Sequence, residues 1–274
     1  MKAAALLLFA RLCFAAQPAT QYEPVVDEAM AALYSSDFDG AQRILDRYIQ
    51  KNPGDPLAYS VKASGYVFWE LHRLGILEAD FFKDDRIADK RKSLKPDPAV
   101  RAQFDASIKK AQELAGNVLR LDPDNVNALF ASCLAYGNQT DYLALIEKKQ
   151  MQGLSVNKEG YRVAQRLLKI APDFYDAHLT TGLTEYLIGS IPFVFRWFVK
   201  FDDVQGDKKQ GIRKLELVAE RGHYLKTFAK ILLATAAVRE KRPRDAQRIL
   251  QELTQAYPRN ALLRRELDRI STQL

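Results

Sequence analysis

Cysteine and histidine are nearly missing from this chain: two Cys and three His occur in 274 residues. His72, His178 and His223 never stand at i, i+4 spacing and no HExxH occurs, so no zinc cluster can be drawn from the sequence. His178 falls on a helix packing position and is expected in the core. If the leader-like segment holding Cys13 is removed, Cys133 has no partner for an intrachain disulfide and is expected buried rather than reactive. The phosphate-cradling patterns GxxxxGK(S/T) and GxGxxG are lacking, as is the nucleophile pattern GxSxG. Carboxylate pairs such as Asp84-Asp85 sit inside charge runs and read as solvated surface. Asp202, Asp203 and Asp207 share a loop without a calcium-loop pattern, and capping of a helix that starts at Lys208 is expected. The sequence names no catalytic residue, no metal ligand and no cofactor site, and a non-enzymatic role is expected.

Extremes of composition are also lacking. Thirteen Gly and 11 Pro are too few for a low-complexity chain, and 47% hydrophobic with 27% charged residues is a globular balance. A net charge of +7 is mild for this length and argues against a nucleic-acid partner. The basic residues gather toward the C-terminal end, from Arg239 to Arg269, and would suit an acidic partner or anionic lipid better. No run reaches the roughly 18 apolar residues of a membrane span. The opening "MKAAALLLFARLCFAA" has a basic start, an apolar run and small residues. Although Arg11 interrupts the run, that layout predicts a secretory signal over 1–19, with an uncleaved N-terminal helix as the alternative, and hence a periplasmic or envelope location for a single domain over 20–274, a bacterial source being assumed.

What the chain does have is a recurrence. Pro53, Pro123, Pro172 and Pro258 each have a small residue twelve positions earlier: Ala41, Ala111, Gly160 and Ala246. The segments between, such as "AQRILDRYIQKNP" and "AQRILQELTQAYP", read as amphipathic helices that the proline stops. Downstream of the first three prolines, a large residue (Tyr59, Leu129, His178) is followed four positions on by a small one (Ala63, Cys133, Gly182). On a helix these share a face, and the small residue lets a neighbouring helix come close.

This layout resembles the tetratricopeptide repeat (TPR), a 34-residue helix-turn-helix unit. Two copies fit without insertion, at 22–55 and 227–260; the copies at 56–125, 126–174 and 175–226 carry extra segments of 36, 15 and 17 residues, and 261–274 reads as a polar cap. The fourth copy departs from the pattern, with His223 where proline is expected, and no copy has the motif's first Trp. The resemblance implies an all-α, right-handed superhelix of about five hairpins plus a cap, stacked because one hairpin cannot bury its apolar stripe alone. An irregular all-α domain is the rival reading.

The resemblance further implies a scaffold whose concave face binds a protein or peptide. Asn127, Phe130, Leu134, Asp176, Leu179, Leu183 and Tyr186 fall on the open side of the first helices and are the candidate groove residues. The third insertion, "IPFVFRWFVKF", is rich in aromatics. It either fills the gap between longer helices or presents Phe193, Phe195, Trp197 and Phe198 to a membrane surface or partner, the function then being an envelope assembly factor. A repeat-framed hydrolase or transferase would need a pocket of converging carboxylates.

Overall fold

The computed structural model describes residues 22–76, 95–190 and 206–274. Among these residues the chain forms eleven α-helices and no strand. They are α1 (Pro24–Tyr34), α2 (Phe38–Lys51), α3 (Pro56–Arg73), α4 (Pro98–Leu121), α5 (Val126–Asp141), α6 (Gln150–Ile170), α7 (His178–Ser190), α8 (Lys208–Arg221), α9 (Lys226–Arg239), α10 (Pro243–Ala256) and α11 (Ala261–Ser271). Consecutive helices pack on one another throughout, giving five hairpins in series and α11 over the last. The segment 1–19 expected to be a leader, the centre of the first insertion and the four aromatic residues from Phe193 to Phe198 lie outside the described residues.

The repeat is written into the backbone at two kinds of corner. The residue before each of the four prolines ends a second helix in nearly the same conformation: Asn52, Asp122, Ala171 and Tyr257 have φ between −131° and −127° and ψ between 63° and 86°. Proline excludes the α region for the residue before it, so the helix must stop there. Past three of these prolines a side chain closes the next helix: Asp55 accepts from the Leu57 N–H at 2.9 Å, Asn125 from Ala128 at 3.0 Å and Asn260 from Leu263 at 3.2 Å. Asp207 does the same for α8, accepting from Lys209 and Gln210, as expected from the sequence.

The other corner lies within the hairpin. Ser36, Gly75, Lys148 and Lys241 all have φ between 57° and 64°. In three of them the next residue donates back to a carbonyl one turn and more behind it: Asp37 to Ala32, Lys149 to Leu143 and Arg242 to Ala237, at 2.7–2.9 Å. This is the left-handed helix ending that satisfies otherwise orphaned carbonyls.

The small residues sit between rods, as the stacking argument requires. Ala41, Ala111, Gly160 and Ala246 are all buried. A very close crossing joins α7 and α8, where a Cβ on Gly211 would stand 2.5 Å from the Tyr186 amide nitrogen and 2.6 Å from the Gly182 carbonyl oxygen. Packing at that distance lets two helices share most of their facing surface without voids.

The fourth hairpin lacks its proline and uses a charge instead. Asp176, fully buried before α7, accepts from the backbone N–H groups of His223 (3.1 Å), Tyr224 (3.3 Å) and Leu225 (2.9 Å), the residues that lead into α9. Gly222 makes room for it, since a Cβ there would come 3.0 Å from an Asp176 oxygen. Burial holds this carboxyl above the ordinary carboxylate range, against the downward pull of the three N–H groups.

Candidate binding cleft

The first helices of the hairpins, α1, α3, α5, α7 and α9, face inward, and the two ends of the array meet across that face. The Asn260 side-chain amide donates to the Tyr34 carbonyl at 2.8 Å, and the Glu23 N–H donates to the Tyr224 hydroxyl at 2.6 Å. Tyr22 stacks on His223 with ring centroids 3.8 Å apart, and His223 also contacts Asp27 at 2.9 Å. Phe68 of α3 meets Phe228 of α9 edge to face at 5.6 Å. The inner face is therefore a walled cleft at this end rather than an open trough.

The seven candidate groove residues divide accordingly. Phe130 is buried, stacked on Tyr224 and tilted against Phe174. Asp176 is committed to the α9 corner. Asn127 is exposed and lines none of the three cavities of the cleft. The structure brings five of the seven to the cleft: Phe130, Leu134 and Leu179 on one cavity of about 50 Å³, and Leu183 and Tyr186 on another of about 180 Å³. A third cavity of about 180 Å³ connects them, with Leu179 and Leu183 in its wall. Asp141 and Phe228 border all three. Leu187, 47% exposed, stands at the edge of the two larger cavities.

Asp141 does not stand out from its sequence context, yet a signal is there. It stands eleven residues after Phe130 and seven after Leu134, the spacing that keeps side chains on one helix face. Its carboxylate has no hydrogen-bond or ion-pair partner among the described residues. Burial, with no neighbouring charge to offset it, pushes the carboxyl up to about 7. The residue as a whole is half-buried, and the adjacent Thr140 hydroxyl is buried without a partner among the described residues. Directly after Asp141 the helix widens into a π turn, Tyr142–Ile146, a backbone feature that recurs at functional sites.

The fully buried carboxylates are occupied. Glu70 pairs with Arg73, Glu266 with Arg269, and Glu185 with Lys214 and the Tyr161 hydroxyl. Cys133 is buried against the Thr180 hydroxyl at 3.1 Å, and burial pushes its thiol up to about 11. His178 lies half-buried, its pKa lowered by burial and by Lys214. Among the described residues no three His, Cys, Asp or Glu converge as metal ligands, and no helix is long and apolar enough to cross a membrane.

Inward-facing first helices, proline-stopped second helices and a capping helix make this a TPR-like helical repeat. The fold is all-α. No protein-family model matches the chain, and no curated protein matches it. Among solved structures, a crystal structure of a thermophilic TPR protein from Thermus thermophilus is similar, with 14% identity, a TM-score of 0.49, and coverage of 92% of this chain and 100% of that one.

Proposed function

We propose that this TPR-like chain is a non-catalytic scaffold that binds a partner protein in the cleft between α5, α7 and α9. The observation that carries this reading is the wall itself. Leu134, Leu183, Leu187 and Phe228 keep apolar surface turned toward one continuous set of cavities, whereas exposed apolar side chains such as Leu121 and Met151 line none of them. On the strength of the leader at 1–19, the same reading places the scaffold outside the cytoplasm, in the periplasm or at the envelope.

A photo-crosslinking residue at Leu187 tests the binding. In the source cell it should yield a discrete adduct that a residue at the distant, exposed Leu121 does not, and Leu187→Asp should abolish capture of the same partner. Equal adducts from both positions would count against the cleft. N-terminal sequencing of the mature protein checks export, with cleavage after Ala15, Ala16 or Ala19 as the expected result.

A further inference from the structure

The cleft contains one group that its apolar walls do not explain. An ionised carboxylate without a partner is unfavourable in such a place, and most of its cost is removed when a cation binds beside it. Asp141 is that carboxylate. It borders every section of the cleft and accepts from no described donor, with the unpartnered Thr140 hydroxyl next to it. Walls of Leu183, Leu187 and Phe228 suit an aliphatic chain, and each larger cavity, at about 180 Å³, has room for one.

We propose that the cleft recognises an aliphatic chain ending in an ammonium group, a lysine side chain within an apolar segment of the partner, with the Asp141 carboxylate as its counter-ion. This rests on the cleft being the partner-binding surface and names what that surface selects. Lysine fits because its four-carbon stem packs along apolar walls while its head seeks a charge. A ligand carboxylate would meet a like charge, and a neutral alcohol would leave the Asp141 charge uncompensated.

The charged and titratable groups around Asp141 leave it as the switch. Tyr34 of α1, Cys133 of α5 and Tyr186 of α7 border the cleft, and burial raises the pKa of all three, so they stay neutral near pH 7. Arg239 of α9 borders one large cavity. The bordering residues from α3, α6 and α8 are uncharged. Ammonium binding should therefore strengthen as pH rises through about 7 and Asp141 ionises.

Calorimetric titration of the full chain with octylammonium, octanol and octanoate at pH 8 tests this. Octylammonium should bind at least tenfold tighter than octanol, and octanoate should bind weakest. The preference should shrink at least tenfold in Asp141→Asn, and in the unaltered chain it should fall between pH 8 and pH 5.5. Should the variant misfold, the ligand series and pH profile of the unaltered chain decide alone. Equal affinity for the three probes, a preference for octanoate, or no binding of any would overturn the inference. These results are independent of the Leu187 cross-links, so loss of the ammonium preference and loss of the partner are separate failures.

Discussion

At the residue scale, three groups turned into the array have different fates. Asp141 has a raised pKa, so it favours the folded state fully only below its unfolded value of about 4, and that advantage is lost as pH climbs through about 7. Complete burial would make this a cost of several kcal/mol, and contact with water in the cleft reduces it to on the order of 1–2 kcal/mol at pH 8. Asp141→Asn should thus raise the thermal midpoint by about 3–6 °C at pH 8 and leave it nearly unchanged at pH 4, as read by calorimetry. Asp176, whose carboxyl is also held high by burial, differs in having partners. Its three backbone donors have no other acceptor among the described residues, so Asp176→Ala should destabilise by about 3 kcal/mol, measured by urea unfolding. Cys133 needs no chemistry to explain it: its thiol, buried and pushed up to about 11, should resist iodoacetamide in the folded protein and react in urea. Of the cleft residues, Leu134, Leu179, Leu183 and Tyr186 were legible from helical spacing. Asp141 obeyed the same spacing but carried the wrong polarity for an inward position, and polarity hid it.

At the scale of elements, the helix boundaries follow from local chemistry. The four prolines fix one corner, and the left-handed endings at Ser36, Lys148 and Lys241 fix the other without glycine. A side chain in that conformation is unfavourable by about 1 kcal/mol relative to glycine. Lys241 is exposed, so Lys241→Gly should stabilise the chain by about 0.5–1 kcal/mol in the same urea assay. The α7–α8 crossing allows no such freedom. A Cβ at Gly211 would meet backbone, which has no flexible end to move aside, and Gly211→Ala should cost about 2–3 kcal/mol by chemical denaturation. The fourth corner shows where local reading stopped. His223 broke the proline pattern, and its replacement, a carboxylate reaching from 47 residues earlier in the chain, exists only once two hairpins have stacked.

At the scale of the whole molecule, closure is the feature that matters. Solenoid repeats normally touch only their neighbours, and stability then sums along the array. Here Tyr34, Tyr224 and Asn260 tie the first hairpin to the fourth corner and to the start of the cap. Removing one tie should loosen the N-terminal end selectively. Tyr224→Phe deletes the hydroxyl that accepts from the Glu23 N–H, and amides of α1 should then exchange about 5–30-fold faster while those of α6 stay protected, as followed by hydrogen exchange. Uniform loss of protection, or none, would show that the ends are not coupled through this contact. The same closure turned an expected open face into a walled cleft, buried Phe130 and set Asp141 on the cleft's border.

By itself the sequence determined that the chain is all-α, where its second helices end, and which small residues lie between them. Those outcomes depend on proline sterics and on spacings within about twenty residues, which act before any long-range contact forms. Only the tertiary structure decided that the ends meet, that Asp176 replaces a proline, and that Asp141 faces a cavity with no protein partner among the described residues. Each of these joins residues tens to hundreds of positions apart, and no local pattern encodes the distance at which a stacked array closes on itself.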